Sequence, residues 1–459
     1  QMCIRDRIGP PDPSTPDFGT VDIVDPDGAT ESPSAWYCPW VSAGDVQDTD
    51  VMVASQPSVD LDVTLLHPIA NEEPGTGSYG IVGPGATVVS TGSVLRLGDS
   101  PAVLEISDGP AAAAAIQYSD AFIEGDRCVV SVPKVWYLTG GSTREGTITE
   151  LILFNPFADN ATVTVTAYSE FDLDLVQELQ NYDVAGRSWA TIDMEPYLDL
   201  RDTLVFTVEA TAGLVIPSLT RIDDRGEAAW PGTAPSETWD FPIVTVGELE
   251  PFISVMSAGE DGIVVDVDII TPSGGVRNAR QVTVASSVPE LIPLSDLAAP
   301  PYGVRLRATA PIAASVVATA PEGDPTGGEG SLETTTTTVG GSDSGTDGVI
   351  VKGLAGTVGS SSASSRWIVP VATLVDAETN LVVMNTGTET ATIEWEALGE
   401  SEFQAGATVE VEPETIVLIP VEVGVGVYGV SIVGDRPVSV GWSMIGEQGA
   451  ALSAGIALR

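Results

Sequence analysis

Basic side chains are scarce in this chain: 18 Lys and Arg stand against 65 Asp and Glu, for a formal net charge of −47. Lysine occurs only at Lys134 and Lys352. Such a surface repels phosphate backbones, which excludes nucleic acid as a partner and disfavours an anionic membrane. Two readings of the acidity stay open: a protein bathed in salt that screens self-repulsion, or an ordinary acidic secreted protein. Histidine is represented by His67 alone, so no multi-histidine metal site can be built and no nucleophile motif supports a Ser–His–Asp arrangement. A Walker loop, a Gly-x-Gly-x-x-Gly turn after a strand and a zinc-spaced cysteine cluster are all missing. Helical periodicity is nearly absent too; the one helical candidate is a short turn around Glu195 to Leu200.

What the chain does have is a pattern repeated four times. Each round opens on an aromatic strand: Trp36-Tyr37-Cys38-Pro39-Trp40, Trp136-Tyr137-Leu138, Trp239-Asp240-Phe241-Pro242 and Trp367-Ile368-Val369-Pro370. Next come two apolar strands around a polar turn, as in Leu151 to Ser169 and Leu381 to Leu398. The strict alternation of Val163, Val165 and Ala167 against Thr162, Thr164 and Thr166 predicts a half-buried antiparallel hairpin there. Every round closes on two more strands around a short turn, such as Thr211-Ala212-Gly213 or Asp435-Arg436-Pro437. Six or seven short strands per round predict an all-β chain: a tandem array of four immunoglobulin/fibronectin-like β-sandwich modules.

The expected organisation is a Pro/Asp-rich spacer over 1–34, modules over 35–132, 133–228 and 229–320, a Gly/Ser/Thr-rich linker over 321–365, and a fourth module over 366–459. Within the linker Val349-Ile350-Val351 is a candidate extra strand. Neighbouring modules are expected to pack in two pairs, with the fourth freer on its linker. The opening Gln1 to Arg7 reads as translated sequencing-adapter sequence and is set aside, so a signal peptide or anchor would lie in sequence not represented here.

Three sets of residues are candidates for special roles. Cys38 opens the first copy and Cys128 follows its last strand pair, so a disulfide is expected, the alternative being two buried thiols. A bridge places the protein in an oxidising compartment. Asp22, Asp25 and Asp27, and likewise Asp45, Asp48 and Asp50, resemble parts of a calcium loop but lack its ligand order; solvated acidic loops are the plainer reading. Trp230 and Trp189 are the candidate ligand platform, an exposed indole stacking on sugar, against packing between modules. No catalytic residue, metal or cofactor is predicted.

Leu153-Phe154-Asn155-Pro156 followed by Ala161-Thr162-Val163-Thr164-Val165, its echo Met384-Asn385-Thr386-Gly387 with Ala391-Thr392-Ile393, and the opening Trp36-Tyr37-Cys38-Pro39 carry a resemblance. Together they resemble uncharacterised actinobacterial extracytoplasmic proteins of a domain-of-unknown-function family (DUF5719-like). That resemblance implies an exported, envelope-associated protein and supplies no activity. The expectation is therefore a non-enzymatic, structural or adhesive cell-envelope protein that presents surfaces to a wall polymer or protein partner. The alternative is a carbohydrate-binding array assisting an envelope glycosyltransferase or hydrolase.

Overall fold

The computed structural model describes residues 20–21, 34–39, 48–55, 59–65, 75–82, 85–90, 100–109, 111–118, 123–223, 226–245, 249–259, 261–319, 354–373, 377–398, 406–421, 426–446 and 449–458. Val- and Thr-rich alternation becomes strand almost throughout. The stretch around Glu195 to Leu200, readable as a short helical turn or equally as a loop, is a string of turns, in which Leu198 N–H donates to the Met194 carbonyl.

A two-residue strand β1 (Thr20–Val21) precedes the repeats. Copy one contributes β2 (Ser34–Cys38), β3 (Asp48–Ser55), β4 (Val59–Leu65), β5 (Gly75–Val82), β6 (Gly85–Ser90), β7 (Ala102–Ser107), β8 (Ala111–Tyr118) and β9 (Ile123–Arg127). They form two antiparallel sheets ordered β2-β7-β4-β5 and β6-β3-β8-β9. Copy two contributes β10 (Val135–Gly141), β11 (Ile148–Asn155), β12 (Ala161–Ser169), β13 (Asp172–Asp174), β14 (Tyr182–Val184), β15 (Ser188–Asp193), β16 (Leu204–Ala212), β17 (Ile216–Asp223) and β18 (Gly226–Pro231). Its sheets, β10-β16-β12-β13 with β14 also on β12, and β15-β11-β17-β18, repeat the same order.

Copy three contributes β19 (Ser236–Phe241), β20 (Glu250–Ser257), β21 (Ile263–Thr271), β22 (Gly274–Val284), β23 (Glu290–Pro293), β24 (Gly303–Thr319) and β25 (Leu354–Val358). Copy four contributes β26 (Ser364–Thr373), β27 (Ala377–Asn385), β28 (Ala391–Leu398), β29 (Ala407–Val411), β30 (Thr415–Pro420), β31 (Gly426–Gly446) and β32 (Gly449–Ala454). Here one long strand serves both sheets. The first half of β24 pairs β19 and β21 and its second half pairs β20 and β25; β31 does the same with β26 and β28, then β27 and β32. A last strand, β33 (Ile456–Leu458), returns to β26 and carries β1 alongside it in parallel. Thr20 and Val21, expected in the spacer, are thus ladder residues.

The predicted hairpins are not hairpins. β11 pairs β15 and β17, whereas β12 pairs β13, β14 and β16, so the chain arches from one sheet to the facing one. The apolar pattern is the same for both geometries; what differs is the turn. Asn155 Nδ2 donates to the Asp159 and Val184 carbonyls while its Oδ1 accepts from Phe157 N–H, which pins the arch. Asn385 does likewise with Glu389, Val411 and Gly387. Three of the four opening tryptophans lock the second crossing. The indole N–H of Trp136, Trp239 and Trp367 donates to the carbonyls of Val215, Ile312 and Val438, each where the chain passes between sheets.

The copies do not stack as separate bodies. One late strand from each copy joins here: β9 packs on β18 and β32, and β25 packs on those same two, closing a ring. Copy four, expected to swing on a linker, lies against copy one, with β26 touching β3 and β8. Apolar cores cross the copy boundaries accordingly. Met52 and Ala114 belong to the cluster around Trp367, and Val382, Met384 and Leu452 to the cluster around Trp239. Two expected boundaries shift. β18 runs across the 228/229 junction, and residues 354–365 of the expected linker hold β25 and the start of β26. Val349 to Val351 lie outside the described residues.

Candidate functional site

At the ring, each inner strand must show another copy a face without bulk, and the sequence supplies glycine and alanine there. A Cβ on Gly356 would sit 2.4 Å from the Trp230 ring, and one on Gly140, at φ +96°, 2.9 Å from it. Trp230 fills that space, fully buried, and donates its indole N–H to the Thr139 carbonyl at 2.9 Å. It is therefore no sugar platform but a buried residue of β18. Trp189 sits on β15 opposite Phe154, half-buried against the core, and cannot form a flat exposed pair with it. The two indoles of the expected platform do not share a surface.

Polar groups inside the ring tie copies together. Asp126 on β9 is buried; its Oδ1 accepts from the Arg127 N–H at 2.7 Å and the Ser453 hydroxyl at 2.9 Å, and its Oδ2 from the Thr357 hydroxyl at 3.1 Å. One carboxylate thus joins copies one, three and four. Burial pushes its pKa up to about 6, against the lowering effect of Arg127 and the three hydrogen bonds. Arg127, buried beside it, donates to the Gly359 carbonyl at 2.8 Å, and burial lowers its pKa. A second carboxylate, Asp240 on β19, accepts from the Ser439 hydroxyl of copy four at 2.6 Å and lies 3.1 Å from Arg305 Nε. Burial raises its pKa, opposed by Arg305. Thr139 and Ser315 join copies two and three through a 2.7 Å hydroxyl pair, and Ser218 donates to the Pro39 carbonyl across copies two and one.

Sequence reasoning missed these groups. Asp126 and Asp240 are two acids among 65, and only their flanks, Cys128 and Trp239, mark them as strand residues. Cys38 and Cys128 are joined by a disulfide, beside the bridge between Tyr37 and Val129. His67, Asp22, Asp25, Asp27 and Asp45 lie outside the described residues; Asp48 and Asp50 are on β3. Among the described residues no group of three or more His, Cys, Asp or Glu is placed to hold a metal ion.

On the outer face of copy four, Glu394, Trp395, Glu396, Thr408, Ser431 and Val433 line an open depression. Its floor exists because β29 presents Ala407 and Thr408 opposite Trp395 and Glu394. An indole flanked by carboxylates and hydroxyls can stack on a sugar ring and accept its hydroxyl hydrogens.

These observations define an all-β protein whose buried polar groups bind repeats to each other, with a disulfide of the kind that persists in oxidising surroundings. Among the described residues no helix is long and apolar enough to cross a membrane. Residues 99–342, more than half of the chain, match the family of unknown function DUF5719, and the chain belongs to that family. No curated protein matches it.

Proposed function

We propose that this is a non-enzymatic, exported cell-envelope protein in which four immunoglobulin- or fibronectin-like sandwich modules act as one rigid body. Its outer faces would be presented to a wall polymer or a protein partner. The observation that carries this reading is the use of the buried carboxylates: Asp126 and Asp240 are occupied with hydroxyls of other copies, which favours a structural role over proton transfer in a cleft. The disulfide supports export. The test is co-sedimentation of the purified protein with isolated cell-wall material, with reducing ends and soluble fragments measured in the same tubes. Saturable binding without fragment release is expected. Fragment release, or no retention by wall material or by extracted envelope proteins, overturns the proposal.

The depression at Trp395 favours a second reading, carbohydrate binding at copy four. Under it, Trp395→Ala abolishes retention on immobilised wall polysaccharide, and a circular dichroism melt of the variant separates lost binding from lost packing, because Trp395 also lies against the copy-four core; unchanged retention removes it.

A further inference from the structure

Burying Phe, Leu and Val is the main gain of folding, so apolar side chains left out together on one hairpin point outward to something else. Copy two has such a group. Phe171, Leu173 and Leu175, on and beside β13, are 71%, 45% and 61% exposed. Leu200, on the turn that runs against this hairpin, is 62% exposed. The two segments are fastened together. Glu170 accepts from the Asp202 and Thr203 N–H groups, and Arg201 pairs with Asp174 at 3.3 Å with its guanidinium 5.3 Å from the Phe171 ring centre. Both also hold costly backbone for residues with a side chain, φ +124° at Asp172 and +56° at Leu200. The apolar tips are thus held out on a braced frame.

The frame is acidic. Glu170, Asp172, Asp174, Asp199 and Asp202 surround the apolar tips, and the cations beside them, Arg201 and Arg144, are already engaged by Asp174 and Asp202. Asp172 is held below the usual carboxylate range by a hydrogen bond from Ser287 of copy three, so it stays charged. A second copy of the chain would bring the same acids and a net charge of −47 against it, and an anionic lipid surface would be repelled in the same way. A positively charged partner with an apolar face would satisfy both features.

We propose that the outer edge of copy two, centred on Phe171, Leu173, Leu175 and Leu200, docks a cationic amphipathic segment of a protein partner. This deepens the partner role proposed above and rests on it only for the existence of a protein partner; wall retention can fail while this binding stands.

The full chain is titrated, at physiological ionic strength, with two fluorescent synthetic peptides. One is built of leucine and lysine with all leucines on one face, and the other carries serine in place of each leucine. The leucine–lysine peptide is expected to bind at least tenfold tighter. The double variant Phe171→Ser/Leu175→Ser should erase that difference, and Val276→Ser, an equally exposed site on copy three, should preserve it. Circular dichroism melting of each variant confirms the fold. Equal binding of the two peptides, or an unchanged preference in the double variant, overturns the proposal. So does self-association, or adsorption to phosphatidylglycerol vesicles, that the double variant abolishes.

Discussion

The carboxylate of Asp126 makes a prediction whose sign is opposite to that of most acids. Its pKa is raised to about 6 from an ordinary 3.8, because burial disfavours the charge more than Arg127, Ser453 and Thr357 favour it. A raised acid binds its proton more readily in the folded state. The contribution is therefore fully present below pH 3.8 and is lost as pH rises through 6, and the window of change lies between those values. Two pKa units correspond to about 3 kcal/mol by linkage. Asp126→Asn cannot titrate. The difference in unfolding free energy, wild type minus variant, should therefore fall by about 2.5 kcal/mol from pH 4 to pH 7, most of the full span. Urea melts of both proteins at several pH values measure it, and the subtraction cancels the other carboxylates, which the two share. A difference that is flat with pH, or that rises, would refute the account of a desolvated acid at the junction.

Three further outcomes follow from the packing. Trp230→Ala should cost about 3–5 kcal/mol, as expected for emptying a buried indole site, seen as a lowered midpoint in denaturant. Gly356→Val should shift the melting temperature down and increase protease cutting between copies two and three, because its Cβ would meet the Trp230 ring at 2.4 Å; an unchanged melt would show that the ring contact is dispensable. Replacing Cys38 and Cys128 together by serine opens a loop with a sequence separation of 90. Chain entropy assigns that about 4–5 kcal/mol, measurable by urea melts with and without reductant.

The strand content was legible because period-two alternation in β12 and the repeated aromatic openings depend only on local sequence. The arch was not legible. Leu151 to Phe154 and Val163 to Ala167 read identically whether the two strands bond to each other or face each other across a core. Only the Asn155 side chain, occupied with the Asp159 carbonyl of its own turn and the Val184 carbonyl of β14, distinguishes them, and a lone Asn-Pro reads as an ordinary turn. The ring was hidden for a different reason. Interfaces between copies are made of Gly356, Ala228 and Ala229 beside Trp230, residues equally at home in loops. Of the two readings open for Trp230, sugar platform and packing between modules, the structure gives the packing: its ring fills space left by Gly140 and Gly356, far from it in sequence.

A circuit of repeats has no ends, and that sets it apart from an open solenoid, where units can be added or trimmed and polar caps protect the last one. Here deleting any single quarter would strip two partners at once and leave three wedges unable to meet around a missing sector. Because β9, β18, β25 and β32 each pack on two of the others, a loss at any one of them is felt on both of its sides.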